Sequence, residues 1–420
     1  MLTFTFSPRK IINSIFLYIV ALSVILNARS IWMHIYGMGS QFSDYIFMLL
    51  MLGVLGYFFT NTNLHKNNIY KVIVISVSIF IYIGFWILIT RFNSMSAVKF
   101  SVVVLIFVFF FFIQESNNRH ELLLKYRNLM IIISAVSIVF WLLGSILHLI
   151  HPSGVVQSVW TDTGNPKPVP NYFNLYFETQ ELYGFSRNTA IFTEAPMASL
   201  HFSIALLVEM YIEKNFSLFR FLLFSIAILS SFSTTGIILL ISVLLHRLFF
   251  TKRISSVLNL LKIAVFPTFF VVAVLVIRYL LQAKLETSSG SIRTDDFIVG
   301  LKAWLLHPIF GNGYLNYDTI RQFMAMWRSY NTGFSNSITM VLAYGGIYLT
   351  MLYIVPILFN LKSLKKDGFL PFLLGGVYLF IFTIIPFEYL TIMLIIFLSS
   401  YSAKKSGSLS TVVDRLKANT

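Results

Sequence analysis

Cysteine is absent from the 420 residues, and charge is scarce: only 11% of positions are Asp, Glu, Lys or Arg. Without cysteine there is no disulfide framework, no thiol nucleophile and no thiolate metal site. A soluble globular domain carries about a quarter charged residues, so this composition excludes that class. Strands alternating apolar and polar residues are missing, which removes the membrane β-barrel. P-loop, HExxH, GxSxG and EF-hand signatures are missing as well. The one adjacent carboxylate pair, Asp295 and Asp296, occupies neighbouring helix positions that face different ways. No essential metal is expected, and no other cofactor.

What the chain does have is apolar surface: 57% hydrophobic residues, 17% aromatic, and a mean hydropathy of +0.80. Repeated apolar runs of about twenty residues predict an all-α polytopic membrane protein. Twelve transmembrane helices are expected, at about 11–27, 44–60, 71–90, 97–114, 128–150, 191–212, 217–232, 235–250, 257–281, 336–360, 369–385 and 387–401. No soluble domain interrupts them, so residues 1–420 read as a single membrane domain. The first run follows Arg9-Lys10 and is long enough to span, with no small-residue cleavage pattern, so a cleaved signal peptide is not expected.

The formal charge of +15 would suggest nucleic acid in a soluble protein. Placing the N-terminus inside gives another explanation. The inner segments then hold 20 Lys and Arg with 6 acids, the outer ones 11 with 10. This is the positive-inside bias of a plasma-membrane protein with both termini cytoplasmic, and no nucleic-acid partner is expected.

Two connections are long, 151–190 and 282–335, and both fall on the outer face. The first is rich in Pro, Gly and Asn and reads as loop. The second holds an amphipathic helix candidate, Thr294 to Leu306, with Phe297, Leu301, Trp304 and Leu305 at helical spacing. Such a helix is expected on the membrane surface or over a cavity.

Candidate site residues gather at the ends of these loops. Arg187, Thr193, Glu194 and Pro196 lie where the first loop enters an apolar run. An acid at a bilayer edge is costly unless paired or wet. The plain reading is a capped helix, with Thr193 as N-cap, Pro196 in the first turn and Glu194 at the positive end of the dipole. The functional reading has Arg187 binding phosphate while Glu194 orients or deprotonates a hydroxyl. The second loop adds Arg293, Arg321, Arg328 and His307. Arginines on an outer face run against the topology bias and ask for an anion, which their planar fork suits. Pairing with Asp295, Asp296 and Asp318 is the plain alternative. Gly311 and Gly313 permit a tight turn whose N–H groups would cradle an anion, and Asn336 would cap a helix or contact a sugar.

The segment Arg187…Ile191-Phe192-Thr193-Glu194-Ala195-Pro196 resembles the R-x-x-G-x-F-x-E-P segment of the Wzy-type O-antigen and capsule polysaccharide polymerases. It is also similar to that of the O-antigen ligases. Ser231-Phe232-Ser233-Thr234-Thr235-Gly236 looks like the S-x-S-[RT]-[TG]-G break that follows it there. His307-Pro308-Ile309-Phe310-Gly311-Asn312-Gly313 looks like their h-P-[IL]-x-G-x-G turn. Phe334-Ser335-Asn336-Ser337 resembles the motif before the next span. Ala190 stands where glycine is common, Ala195 intervenes before Pro196, and Ser335 stands where the ligases carry histidine, which favours polymerase over ligase.

The resemblance covers roughly 185–350 and implies a GT-C-like membrane glycosyltransferase. It would polymerise undecaprenyl-pyrophosphate-linked oligosaccharide repeats at the outer face of the bacterial plasma membrane, making O-antigen or capsule. It implies Arg187 and Arg293 on pyrophosphate with Arg321 or Arg328 helping, and Glu194 or His307 taking the proton. Thr193, Gly311, Gly313 and Asn336 would position substrate. Membrane lipid is a further partner, and a chain-length regulator and a flippase are the expected protein partners. The alternatives are a ligase acting on the lipid A core and, from another class, a lipid-linked oligosaccharide flippase or transporter, which would place its charges nearer the midplane.

Overall fold

The computed structural model describes residues 8–61, 66–114, 118–160, 165–182, 184–250, 270–272, 274–279, 282, 288–330, 333–334, 336–366, 369–383 and 386–400. Part of the ninth expected span, 257–281, lies outside these. Helices dominate: α1 (Pro8–Asn27), α2 (Gly39–Thr60), α3 (Lys66–Thr90), α4 (Ser94–Ile113), α5 (Glu121–Phe140), α6 (Ala195–Tyr211), α7 (Leu218–Ser230) and α8 (Thr234–Phe250). They are followed by α9 (Phe270–Tyr279), α10 (Ser288–Leu306), the single turn α11 (Asp318–Arg321), α12 (Ser337–Lys366), α13 (Leu370–Phe382) and α14 (Tyr389–Ser400).

Six described helices are long and apolar enough to cross a membrane: α1 to α5 and α12. The apolar helices α6 to α9, α13 and α14 are shorter, at 10–17 residues. The surface fits lipid. On α3 only 17% of the apolar window is buried, and Tyr70, Phe80, Ile81 and Leu88 are each more than half exposed. Such a continuous apolar face is unfavourable in water and suits a bilayer. The core is made where α1, α5, α6 and α7 pack together, and where α4 and α12 meet α14. Helix α6 is the most enclosed, with fifteen of its seventeen residues buried.

The connection 151–190, expected as loop, carries strands. β1 (Gly154–Ser158), β2 (Lys167–Tyr172) and β3 (Tyr176–Phe177) form an antiparallel sheet, and β4 (Glu181–Leu182) pairs with β5 (Phe185–Ser186). The prolines that argued against structure, Pro168 and Pro170, sit at alternate positions of β2, so their missing N–H groups share one edge. β3 pairs only with Asn171 and Tyr172 and makes no demand on them. The sheet sits on the end of α5. Gly144, in the π-helical turn that finishes α5, leaves room for the Tyr172 ring, and the Trp141 indole donates to the Ser186 carbonyl at 2.8 Å.

The helix expected at Thr294–Leu306 begins earlier and packs differently. Its inward stripe is Asp296, Val299, Gly300 and Ala303, while Phe297 and Leu305 are 50% and 64% exposed. Small residues allow close approach: a Cβ on Gly300 would fall 2.6 Å from the Cβ of Thr339 on α12. α10 thus runs beside the first part of α12, and its large apolar side chains face outward.

α12 is broken at Gly346, whose φ of 61° and ψ of −165° lie in a region reserved for glycine. The break frees backbone groups that the turn after α10 satisfies. Ile347 and Tyr348 donate their N–H to the carbonyls of Pro308 and Ile309, both at 2.9 Å. Asn312 and Gly313 donate to the carbonyls of Ala343 and Tyr344, also at 2.9 Å. The Asn312 amide adds bonds to Ala303 and Ala343.

Candidate active site

The sheet-bearing end of the bundle gathers charge around Glu194. Glu194 is the extended N-cap residue of α6 (φ −152°, ψ 150°), with Pro196 in the first turn. Its carboxylate makes no cap bond. It accepts instead from Arg29 at 2.9 Å, with the two side chains 20% and 14% exposed. The capping task falls to Gln180, whose Oε1 accepts from the Ala195 N–H at 3.0 Å. Thr193, expected as the cap, is buried with its hydroxyl unpartnered. Thr193 belongs to the pairing with residues 29–31 instead, its backbone N–H donating to the Arg29 carbonyl one residue before the helix geometry begins.

Arg29 follows α1 in a left-handed conformation (φ 55°). This turn lets residues 29–31 pair with 191–193: Ile31 donates to the Ile191 carbonyl at 2.9 Å, and Ser30 bridges Phe192. The Trp160 ring covers the guanidinium, with 4.6 Å from Cζ to the ring centroid. The pair therefore joins positions 165 residues apart.

Arg187 leaves β5 and reaches the corner between α7 and α8. Its Nε donates to the Ser231 carbonyl at 2.9 Å, and its Nη2 to Phe232 at 3.2 Å. Phe232 has a φ of 49°, so the Ser-rich break is a tight turn whose carbonyls hold this arginine. Asn188 fixes the approach by donating to Ser137 and Ser230. Arg293, on α10, donates to the Phe382 carbonyl at the end of α13, at 3.1 Å. Burial pushes both guanidinium groups below the usual arginine range, and the nearby Glu194 charge opposes that in each case. Arg29 thus bonds the carboxylate directly, while the Glu194 charge acts on Arg187 and Arg293 from a distance.

A second carboxylate stands close by. Glu388 lies in the turn just before α14, which begins at Tyr389. The Tyr389 N–H donates to the Asn27 side-chain oxygen at 2.9 Å, fixing this turn to the end of α1. Arg29 and Glu388 were not singled out by sequence reasoning. Arg29 carried a signal, as a cation at the outer end of the first span. Glu388 carried another, as the one acid inside the twelfth expected run.

The remaining expected residues do not join this group. Arg328 is 1% exposed and bonded to Asp295 at 2.9 Å and Asp296 at 2.8 Å, with its other nitrogen on the Gly333 carbonyl. It is a buried ion-pair residue closing the loop onto α10, and an anion would have to displace those carboxylates. Arg321 is exposed on the single turn α11. Gly311 and Gly313 are no anion cradle, because their N–H groups are bonded to His307 and Tyr344 carbonyls. Their positive φ angles of 70° and 95° serve the turn that repairs α12. The Asn336 Oδ1 accepts from the Thr339 N–H at 3.0 Å, which is the helix cap. His307 is exposed beside a cavity of about 450 Å³ lined also by Thr90, Asn312, Asn316 and Thr319; none of the arginines lines it. A second cavity, about 280 Å³ and almost wholly apolar, lies between α3, α4, α12 and α14.

Chemically, the Glu194 group offers three guanidinium groups around one bonded carboxylate. That arrangement suits a multiply charged anion. No protein-family model, curated protein or solved structure matches this chain.

Proposed function

We propose that the protein is a membrane glycosyltransferase that polymerises undecaprenyl-pyrophosphate-linked oligosaccharide repeats, with the sheet-bearing end on the outer face of the plasma membrane. The observation that supports this best is the direct Arg29–Glu194 pair with Arg187 and Arg293 near enough to feel the Glu194 charge. A pyrophosphate leaving group needs its developing charge stabilised, and arginines do this without proton bookkeeping. Arg187 and Arg293 hold pyrophosphate in this reading. Each now donates to backbone carbonyls, bonds that phosphate oxygens replace with charge-assisted ones. Arg29 holds Glu194, which orients the incoming sugar hydroxyl for attack.

The twelve apolar runs then cross the membrane in a GT-C-like arrangement with both termini cytoplasmic. The apolar cavity between α3, α4, α12 and α14 takes part of the polyprenyl chain. The sheet and its aromatic side chains cover the polar end, where sugar rings stack on exposed rings such as Trp160.

The test is purified protein in lipid nanodiscs with defined lipid-linked repeat units. The expected product is a ladder of polymer. Arg187→Ala and Glu194→Gln are each expected to abolish it at normal expression and thermal midpoint, and inorganic pyrophosphate is expected to inhibit the native protein. A ladder unchanged in both variants would remove this site assignment.

A further inference from the structure

The cavity beside His307 has no part in the mechanism as stated. It holds about 450 Å³ and is walled by residues 306–312, by Ile89 and Thr90 at the end of α3, and by Asn316 and Thr319 around the start of α11. Leu306, which ends α10, lies thirteen residues beyond Arg293 on that helix. At about 1.5 Å per residue the cavity is therefore about 20 Å along α10 from that arginine.

Its polar chemistry is unlike that of the Glu194 group. The described residues that line it include no Asp, Glu, Lys or Arg. Most side-chain donors in the wall are committed to backbone carbonyls. The Asn312 amide donates to Ala303 at 2.8 Å and to Ala343 at 2.7 Å, and the Asn316 amide donates to Asn312 at 2.9 Å. The Thr90 hydroxyl donates to Trp86 at 3.0 Å, and the Thr319 hydroxyl to Asn316 at 2.6 Å. What these four side chains have left is acceptor capacity, on two carboxamide and two hydroxyl oxygens. Donors come from the turn. The N–H groups of Ile309 and Phe310 have no acceptor among the described residues, and the exposed His307 imidazole adds a further polar edge.

Acceptors and donors without a charged side chain suit a ligand whose own groups both give and take hydrogen bonds, as sugar hydroxyls do. A phosphate has only acceptor oxygens to set against those of the wall, and a metal cation finds no carboxylate there. Ile309, 62% exposed, and the half-buried Phe310 offer apolar surface to the C–H face of a sugar ring. The wall is also held in place. The Phe310 carbonyl accepts from the Trp86 indole at 2.8 Å, its ring packs against Phe85 and Tyr348, and the turn is bonded to both halves of α12. A preformed wall lowers the ordering cost of binding.

We infer that this cavity is a glycan subsite, taking uncharged sugar units of the substrate at about 20 Å from Arg293. The identity of the glycan rests on the proposed function. The arginines grip the pyrophosphate, and the cavity grips the same lipid-linked chain several sugars away. Contacts so far from the reacting atoms are made equally in the ground state and the transition state, so they lower KM and leave kcat alone.

The probe is a free oligosaccharide of two repeats cut from the surface polysaccharide of the native host, bearing neither lipid nor phosphate. It is titrated calorimetrically against the protein in nanodiscs. Native protein and Arg187→Ala are expected to bind it alike, with no displacement by inorganic pyrophosphate. His307→Ala is expected to weaken binding about tenfold, the loss of one hydrogen bond, and Ile309→Trp, which fills the cavity, by more. Both side chains are exposed, so thermal midpoints are expected to stay at the native value. With lipid-linked repeats the same two variants are expected to raise KM about tenfold at nearly unchanged kcat. A native protein that makes the ladder but does not bind the oligosaccharide overturns the inference and leaves the transferase reading standing. Binding that both variants leave intact, or that pyrophosphate displaces, puts the sugar elsewhere and overturns it as well. A native protein that binds the oligosaccharide, loses it in both variants and yet makes no polymer overturns the transferase reading alone.

Discussion

The bundle has a charge cluster at each end, built from the same residue types and arranged to opposite effect. At the end away from the sheet, Arg127 and Arg220 meet Glu209 and Glu213, two cations against two anions. Glu209 is fully buried and accepts from Arg127, from Arg220 at 2.8 Å and from the Ser217 N–H at 3.0 Å. Glu213 takes the other Arg127 nitrogen at 2.7 Å. Charge is balanced there, and it ties α5, α6 and α7 together. At the sheet-bearing end, Arg29, Arg187 and Arg293 gather around one carboxylate, Glu194, and two of the arginines rest on backbone carbonyls. The difference teaches that count and partner type separate a structural ion cluster from a binding one. A matched set of carboxylates leaves a ligand nothing to do, whereas a guanidinium parked on a carbonyl gains by exchanging it for phosphate.

The comparison breaks first at Glu209. Replacing it with Gln leaves the buried Arg127 and the half-buried Arg220 short of countercharge, at about 3–5 kcal/mol. The expected outcome is a large fall in yield and thermal midpoint in detergent, before any assay of activity. Arg29→Gln is the smaller effect on stability, about 1–2 kcal/mol for the lost charged hydrogen bond, but it is expected to abolish polymer formation. If Arg29→Gln destabilised as much as Glu209→Gln and left activity intact, the two clusters would have been assigned the wrong way round.

The smallest effect is a pH slope from His34, which packs edge-on against Trp160 beside Arg29. Burial, helped by the Arg29 charge, pushes His34 down to about 4 from 6.5. Between those values the unfolded chain takes up the proton and the folded one does not. Stability is therefore full above 6.5 and falls as pH drops through that window. His34→Gln is expected to flatten this part of the thermal midpoint profile and leave the profile above pH 7 unchanged.

Much of the helical layout was legible because apolar runs leave no other reading. The vicinity of Glu194 was legible too, since an acid, an arginine and a proline at the edge of an apolar run form a local signal. Its true partner was not. Arg29 and Glu194 are joined by a left-handed turn and a two-residue pairing that neither segment announces. The connection 151–190 reads as loop from its Pro, Gly and Asn content, which does not tell which edge of a strand Pro168 and Pro170 occupy. The His307–Gly313 turn was read for its free N–H groups. Those groups are spent on α12, whose break at Gly346 has no more sequence signal than a pair of glycines in an apolar helix. Likewise the stripe on α10 was assigned by size, although close packing selected Gly300 and Ala303.

The repair of α12 by that turn also decides who controls the helix. The amides of Ile347 and Tyr348 sit inside a thirty-residue helix, yet their partners belong to another segment. In a hydrogen-exchange experiment they report the opening of residues 307–313, not fraying of α12. The two halves of α12 therefore meet at one glycine-only backbone conformation, and the turn outside the helix is bonded to both of them.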